Sequence, residues 1–447
     1  MDRTVNQAPA PPRICLALPT NRACSATITA LHAEADHAAR RYGADVRLLI
    51  LDSADDRTRA EHTRTVAALP PRPGVSVHHL DEVAQRDFLR RAVRTAGLPG
   101  PDRLLNLMLP PAVSYGACTN RAFLLAAALG CHSVHRRDSD STYQVLDGES
   151  VFPVHHELPW LGRPAAEASA AVTRTDLDPA HARRPVSLAG ASFIGELSVD
   201  IGEIRRLDEG VYQDVVGLWA AADASPEQRR DLVEESFTGA GTAPFTGDHS
   251  TLALVDPMRV DMCNIAFHHD VYERMPLPPA TDTIGSDYFL IHLVHDATLP
   301  GILHNRHIEN FYTPERRTDA GFQAYQTRFV KFLLSMLYFH HVYDRMAAEG
   351  AQLLDDHQHI RADRIVALLR DSTWLDPAEN VWRLDRVDTA YRKLGGRYER
   401  FAEQLVPRRE RLLTEARQDI DDFALLAEVW PALVDAARRT ALVPEGR

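Results

Sequence analysis

The stretch over residues 115–140, YGACTNRAFLLAAALGCHSVHRRDSD, decides the fold. Its first half carries apolar residues at helical spacing and closes on Gly130, a residue type that commonly follows the last turn of a helix. Residues 131–135 then predict a short buried strand, which Asp138 and Asp140 follow. Residues two apart in an extended segment face the same way, so both carboxylates can meet one ligand. The pair indicates a divalent cation held against phosphates, with an acidic surface turn as the alternative.

Two strand–helix units precede this stretch. Residues 14–18 are an apolar run that stops at Pro19, and helical spacing follows over residues 25–42. Residues 46–51 form a second apolar run, which ends in an acidic loop that begins at Asp52. Strands that alternate with helices predict an α/β fold with an open, twisted, mostly parallel sheet flanked by helices. In such sheets, ligands bind at the carboxyl ends of the strands.

The chain changes character after residue 312. Residues 13–312 alternate between strand and helix patterns, whereas residues 313–447 contain helical patterns only. We therefore expect a sheet domain followed by a helical C-terminal appendage, after a disordered leader rich in proline and alanine at residues 1–12. Aromatic and aliphatic residues at 329–343 predict a helix face that packs as core or joins a homodimer through the C-terminal helices.

Composition narrows the class of protein. The 447 residues carry a formal net charge of −12, which argues against a nucleic-acid partner or an anionic membrane surface. The five cysteines form no CxxC pair, so we expect reduced thiols rather than disulfides or a thiolate zinc site. No apolar run resembles a signal peptide or a membrane span, and we expect a cytoplasmic protein.

The order of these motifs resembles that of nucleotide-sugar-dependent glycosyltransferases of the GT-A fold, especially the large family-2-like group. The motifs are Pro-Thr-Asn-Arg at 19–22, the acidic loop at 52–56, Gly-Ala-Cys-Thr-Asn-Arg at 116–121 and Asp-Ser-Asp at 138–140. Together with the strands and helices that carry them, these motifs cover about residues 14–141. The resemblance implies transfer of a sugar from a UDP- or GDP-sugar to an acceptor that the sequence does not identify, with a small molecule as one option.

The resemblance also implies which residues contact the donor and its metal, Mn²⁺ or Mg²⁺. The implied contacts are Pro19, Thr20 and Asp52 near the nucleoside, Asn120 or Arg121 near the base or phosphate, and Asp138 and Asp140 at the ribose and the metal. The metal and Arg121 would neutralise the diphosphate leaving group as charge develops on it.

The later half of the chain resembles the acceptor side of these enzymes more loosely. Residues 262–268 resemble an acceptor-side strand, and residues 283–289 resemble a helix start at which the family carries adjacent acidic residues. Here Ser286 replaces one of them and Asp287 remains. The resemblance implies that Asp287 is the general base on the acceptor hydroxyl, a role that contributes about 10²–10⁴-fold in rate. A first-turn charge on a helix is the alternative.

A third metal ligand is implied among the histidines that follow this helix. His304 and His307 lie three apart in a strand-like segment, so they face opposite ways and only one is expected to reach the site. We assign His304 to the metal and leave His307 open. Glu196 and Asp200 are candidates for contacts with sugar hydroxyls, with solvated strand-end charges as the alternative.

Other classes of protein fit the sequence less well. Walker, Gly-x-Gly-x-x-Gly and Gly-x-Ser-x-Gly motifs are absent, which argues against P-loop NTPases, Rossmann dehydrogenases and α/β-hydrolases. A nucleotidyltransferase shares the architecture and the metal, but usually has a glycine-rich loop where residues 17–22 contain no glycine. A catalytically silent nucleotide-sugar-binding or scaffold protein stays open, as does inversion or retention at the anomeric carbon.

Overall fold

The strands of the described residues form one large sheet and two small ones. The computed structural model describes residues 11–196 and 201–442, so most of the expected leader and Asp200 lie outside the described residues. In chain order, the strands of the described residues are β1 (Arg13–Thr20), β2 (Asp45–Asp52), β3 (Val75–Asp81), β4 (Ser133–Arg137), β5 (Ser141–Tyr143), β6 (Val145–Leu146), β7 (Glu149–Ser150), β8 (Arg174–Thr175), β9 (Leu188–Gly190), β10 (Phe193–Gly195), β11 (Ser250–Ala253), β12 (Asn264–His268), β13 (Gly301–His304) and β14 (Ile308–Asn310).

Helices connect these strands and make up most of the chain beyond the last of them. In chain order, the α-helices of the described residues are α1 (Ser25–Tyr42), α2 (Asp56–Ala68), α3 (Glu82–Ala96), α4 (Pro101–Met108), α5 (Tyr115–Ala128), α6 (Val154–Glu157), α7 (Ala165–Ala168), α8 (Ile201–Leu207), α9 (Glu209–Val216), α10 (Pro226–Glu235), α11 (His269–Tyr272), α12 (Phe289–Asp296), α13 (Asp319–Glu349), α14 (Ala362–Ser372), α15 (Ala378–Leu394), α16 (Gly396–Leu405) and α17 (Arg409–Arg438).

The large sheet has the strand order β3-β2-β1-β4-β12-β9-β13-β11-β8. The strands β3, β2, β1 and β4 run parallel, β12 is inserted antiparallel between β4 and β9, and β13 is parallel to β9. This arrangement confirms the predicted α/β class with an open, mostly parallel sheet and flanking helices. Because β1 lies between β2 and β4, the loops that leave the carboxyl ends of these strands meet in one crevice.

Alternate residues of β1 belong to two different cores. Ile14, Leu16 and Leu18 pack into a cluster with residues of α1, whereas Cys15 and Ala17 pack into a larger cluster with residues of α3 and α5. Both faces of the strand are therefore buried by helices. Burial on both faces explains why the sequence of this strand is a continuous apolar run rather than an alternation of apolar and polar residues.

The helix α5 and the strand β4 follow the prediction, but the strand begins two residues later than expected. Gly130 has a φ of 67°, and the backbone N–H of Cys131 donates to the carbonyl of Ala126 at 2.9 Å. The end of the helix thus uses residues 130–131, which were predicted to begin the strand. As a result β4 extends through Arg137, directly up to Asp138.

The start of α5 is fixed against a later loop. The hydroxyl of Ser114 accepts a hydrogen bond from the N–H of Ala117 at 3.1 Å and donates to the carbonyl of Pro279 at 3.1 Å. Gly116 faces the carbonyl oxygen of Pro278, and a Cβ at this position would overlap that oxygen. The glycine of the Gly-Ala-Cys-Thr-Asn-Arg motif is therefore needed for this close backbone approach.

The C-terminal helices share the core of the sheet domain. The helix α17 packs against α3 and α5, and the buried Trp430 donates from Nε1 to the carbonyl of Tyr272 at 2.8 Å. Phe329, Phe332 and Phe339 of α13 are buried, so the predicted aromatic face packs as core. A homodimer through other faces of these helices stays a prediction, as does the boundary after residue 312. None of the helices in the described parts of the chain is long and apolar enough to cross a membrane.

Candidate functional site

A cleft with a volume of about 220 Å³ opens at the carboxyl ends of β1 and β4. Its walls come from the loop after β1, from the segment before α5, from the loop after β4 and from a 3₁₀ helix, Pro314–Arg317. The sequence-predicted site residues that line this cleft are Pro19, Thr20, Arg121, Asp138 and Asp140. The strand-end location agrees with the ligand position expected for an open α/β sheet.

Two arginines hold the carboxylate of Asp140. Nη1 of Arg22, from the loop after β1, lies 2.9 Å from Asp140 Oδ2. Nη2 of Arg316, from the 3₁₀ helix, lies 2.7 Å from the same oxygen. The side chain of Asp140 is 10% exposed, so these contacts are screened little by water. One carboxylate is thus held by two guanidiniums, and Glu315 lies at ion-pair distance from one of them.

The two arginines have hydrogen-bonding capacity left over. Nε of Arg22 and Nη1 of Arg316 are buried and have no hydrogen-bond partner among the described residues. Glu315 lies 3.4 Å from the Nε of Arg22, which is an ion-pair distance without hydrogen-bond geometry. Because a buried unpaired N–H group costs about 1–3 kcal/mol, such groups commonly face a ligand or an ordered water. The arginine pair can therefore bind an anion with several oxygens.

Arg136 connects the acidic pair to Asp287. Its Nη2 lies 3.0 Å from Oδ1 of Asp138, and its Nη1 lies 2.9 Å from Oδ2 of Asp287 and 3.0 Å from the carbonyl of Met262. Arg136 and Asp138 line the cleft, whereas Asp287 lies behind Arg136 and is 6% exposed. Because the guanidinium is planar and rigid, it fixes the positions of the two carboxylates relative to each other.

Both carboxyl groups held by Arg136 have raised pKa values. Burial raises the pKa of Asp138 to about 6, against the opposing charge of Arg136 and with the help of the nearby Asp140 and Asp261. Burial also raises the pKa of Asp287, and Arg136 again opposes the shift. Perturbed carboxyl groups beside a cleft are typical of functional sites.

The structure places His304 behind β4 rather than in the cleft. His135 and Arg137 face away from Arg136 because side chains alternate along a strand, and both contact Glu157. His304 belongs to this buried group, with its Nε2 3.9 Å from Oε1 of Glu157. Burial lowers the pKa of His304, which keeps the ring neutral. No histidine is among the described residues that line the cleft, so the arrangement does not bring His304 to the acidic pair.

Asp52 lies beneath the cleft instead of lining it. Its Oδ2 contacts Nδ1 of His62 at 2.9 Å and Nε2 of His79 at 2.8 Å, and the aspartate is fully buried. Nε2 of His62 in turn accepts a hydrogen bond from the backbone N–H of Cys24 at 3.1 Å. This chain of contacts supports the loop that carries Arg22. The structure therefore gives Asp52 a supporting position and not the predicted contact with the nucleoside.

Asn120 and Arg121 are both engaged with the backbone of the protein. The side-chain amide of Asn120 pairs with the N–H and the carbonyl of Leu277, each at 2.8 Å, and is fully buried. Arg121 donates from Nε to Gln85 at 2.7 Å and from Nη1 to the carbonyl of Met108 at 2.7 Å. Asn120 is thus a structural residue, and Arg121 lines the cleft while it braces the segment before α5.

Sequence reasoning missed the three arginines Arg22, Arg136 and Arg316. Arg22 is the last residue of the Pro-Thr-Asn-Arg motif, so its signal was present but was assigned to its neighbours. Arg136 directly precedes the Arg-Asp-Ser-Asp segment and could have been found from strand alternation. Arg316 lies beyond the predicted domain boundary, and no local pattern connects it to the cleft.

The acidic pair suits a hard divalent cation. Both arginines contact Oδ2 of Asp140, and Oδ1 has no hydrogen bond within the described parts of the chain. The side chain of Asp138 is 30% exposed, so it also offers an accessible oxygen. Mg²⁺ and similar cations commonly take one or two carboxylates plus substrate phosphates. The residues therefore fit Mn²⁺ or Mg²⁺ without a histidine ligand.

The fold and the cleft define an α/β protein with an arginine- and aspartate-lined site at the strand ends. The chain belongs to a family described as a family of unknown function, DUF6271, whose model matches residues 12–445. No curated protein matches the sequence.

Solved structures of glycosyltransferases are similar to this chain at low TM-scores. One is the mannosyltransferase PcManGT from Pyrobaculum calidifontis in complex with GDP-Man and Mn²⁺, at 11% identity over 94% of this chain and 87% of that chain, with a TM-score of 0.36. Another is mouse xyloside xylosyltransferase 1 in its apo form, at 12% identity over 58% of this chain and 68% of that chain, with a TM-score of 0.21. TM-scores this low carry no weight for function, which has to be inferred from the residues of the cleft.

Proposed function

We propose that the protein is a glycosyltransferase that uses a nucleoside-diphosphate sugar and a divalent cation. The observation that carries this proposal is the convergence of Arg22, Arg316 and Asp140 in the strand-end cleft. Guanidinium groups suit the oxygens of a diphosphate because they offer several N–H donors in a fixed plane. The acidic pair suits the cation that commonly accompanies such a group.

The donor diphosphate is proposed to lie on Arg22 and Arg316, with its cation on Asp138 and Asp140. A bound Mn²⁺ or Mg²⁺ supplies positive charge to the oxygens of the departing diphosphate. The two arginines add hydrogen bonds to the same oxygens and are already in place before the reaction, which favours the transition state. Pro19 and Thr20 line the cleft, and we assign the nucleoside to them.

Asp287 is the candidate general base. In a direct displacement its carboxylate takes the proton of the acceptor hydroxyl, the acceptor oxygen bonds to the anomeric carbon, and the bond to the diphosphate oxygen breaks. The raised pKa of Asp287 suits this transfer. Because Arg136 covers the carboxylate, the base role requires the acceptor to displace that guanidinium. A UDP- or GDP-linked hexose as donor and a family-2-like relationship belong to the same proposal.

A screen of UDP- and GDP-sugars tests the proposal. With Mn²⁺ or Mg²⁺ and no acceptor, the protein is expected to release nucleoside diphosphate slowly from one of these donors by transfer to water, and a chelator should stop the release. Metal-dependent binding without release would favour a silent binding protein. Pyrophosphate formation from a sugar phosphate and a nucleoside triphosphate would favour a nucleotidyltransferase. Absence of nucleotide binding would rule out all three.

A further inference from the structure

A group of side chains that could hold a metal ion lies at the opposite end of the strand pair that carries the acidic pair. His268 ends β12 and pairs with Ser133, the first residue of β4, whereas Asn264 pairs with Arg137 at the end next to Asp138. Four residue steps along a strand span about 13 Å. The group formed by His268, His269 and Asp270 is therefore separate from the cleft. None of these three residues lines the cleft.

The candidate ligand atoms of the three side chains lie within 4.8 Å of one another. Nδ1 of His268 lies 3.4 Å from Oδ2 of Asp270, and Nδ1 of His269 lies 3.5 Å from Oδ1 of the same carboxylate. A tetrahedral zinc ion with bonds of about 2.0–2.1 Å has ligand atoms about 3.3–3.4 Å apart. Nδ1 of His269 also forms a hydrogen bond of 3.2 Å with Oε2 of Glu273, which a cation at Nδ1 would replace while Oε2 provides a further oxygen at the rim. The two nitrogen–oxygen distances thus match the spacing of zinc ligands.

His268 carries an unmet hydrogen-bonding requirement. Its Nδ1 is buried and has no hydrogen-bond partner among the described residues. The ring is held in place because it packs on Gly162, where a Cβ would lie 2.5 Å from Nε2. An unsatisfied buried polar atom in a native structure often indicates an ion or a water. A cation at Nδ1 would satisfy this atom, and the 31% exposure of the Asp270 side chain leaves a path for its entry.

Two other histidine–aspartate groups differ in ways that argue against a cation. At Asp52, Nε2 of His62 accepts a hydrogen bond from a backbone N–H, so the proton of the ring is on Nδ1. If Nδ1 bound a metal instead, the proton would move to Nε2 and would face that backbone N–H. At Asp248, the carboxylate is already bound by Arg306, with contacts of 2.6 Å and 2.8 Å. In the described parts of the chain, the basic side chains that pair with Asp270 within 4 Å are His268 and His269 alone.

We infer that His268, His269 and Asp270 bind a transition-metal cation of the Zn²⁺ class. Imidazole and carboxylate ligands in a tetrahedral spacing favour Zn²⁺ over the Mn²⁺ or Mg²⁺ suited to the cleft. Glu273 also pairs with Arg438 of α17, so the site lies where the sheet domain meets the last helix. A cation there would connect β12 and α11 next to that junction and stabilise it. The inference does not depend on the proposed transferase activity.

Calorimetric titration of the chelator-treated full-length protein with Zn²⁺ tests this inference. An Asp138→Asn/Asp140→Asn background removes binding in the cleft. We expect one Zn²⁺ per chain, a dissociation constant at least 10-fold weaker in His269→Ala and in Asp270→Asn, and an increase in melting temperature with Zn²⁺ that both substitutions abolish. Both side chains are partly exposed, so both variants should fold, which circular dichroism can verify.

His155→Ala is the matched control, because His155 belongs to a group of the same composition whose aspartate is held by Arg306. This control is expected to bind Zn²⁺ like the background protein. Lack of Zn²⁺ binding, or an equal loss in His155→Ala and His269→Ala, would overturn the inference.

Discussion

Replacing Asp287 by asparagine is expected to lower the rate of sugar transfer about 10²–10⁴-fold, the usual contribution of a general base. The amide keeps the size of the side chain and can still contact Arg136, but it cannot take the proton of the acceptor. Binding of nucleoside diphosphate should stay unchanged, since Asp287 lies behind the cleft rather than in its lining. Initial-rate kinetics with the donor found by screening, together with calorimetry, separate these two effects.

Asp282→Asn is a suitable control for this variant. Asp282 precedes Asp287 in the same loop and has a φ of 49°, a conformation that asparagine tolerates well. The control should transfer sugar at the rate of the unmodified protein. If Asp287→Asn retains full transfer, or loses nucleotide binding to the same extent as transfer, Asp287 is not the base.

Replacing Arg316 by alanine is expected to reduce transfer about 10²–10³-fold, as commonly observed when one group that stabilises a developing oxyanion is removed. It should also weaken nucleoside diphosphate binding by about 10-fold or more, because a hydrogen bond to a charged group contributes about 1.5–3 kcal/mol. Of the two arginines that hold Asp140, Arg22 alone would then remain. Calorimetry with UDP and GDP measures the second effect directly.

Arg317 offers the matched control from the same 3₁₀ helix. Its side chain is 60% exposed, contacts Glu196 at 3.3 Å and is not part of the cleft lining. Arg317→Ala should therefore change neither binding nor transfer. Equal behaviour of the two alanine variants would mean that Arg316 holds Asp140 for structural reasons and does not contact the donor.

The fold was largely predictable because its information is local. The apolar runs of β1 and β2 and the helical spacing of α1 each show in a few neighbouring residues, and both strand faces are buried. The start of β4 was misplaced because the left-handed Gly130 extends the helix end by backbone hydrogen bonds that no side-chain pattern reports. The insertion of β12 between β4 and β9 depends on contacts between distant segments and was not predicted.

The site was predictable only in part because a polar side chain can either contact a ligand or hold a loop in place, and the sequence does not distinguish these two roles. Asp52 and Asn120 occupy motif positions but are buried and fully engaged in holding loops. His304 was assigned to the metal from the resemblance, yet the strand β13 directs it to the buried side of β4. Arg316 reaches Asp140 across 176 positions of sequence, because the pairing of β14 with β5 brings the segment before Arg316 next to Asp140.

The metal dependence of nucleoside diphosphate binding tests the central claim most directly. We expect the unmodified protein to bind UDP or GDP at least 10-fold more tightly with Mn²⁺ than with a chelator. Asp140→Asn should lose this gain, whereas its affinity in chelator should be equal or higher, because Arg22 and Arg316 are then released from the carboxylate. Asp147→Asn, an exposed turn position with a φ of 53°, should behave like the unmodified protein. Binding that is identical in all three proteins with and without Mn²⁺ would contradict the assignment of Asp140 to a metal–diphosphate site.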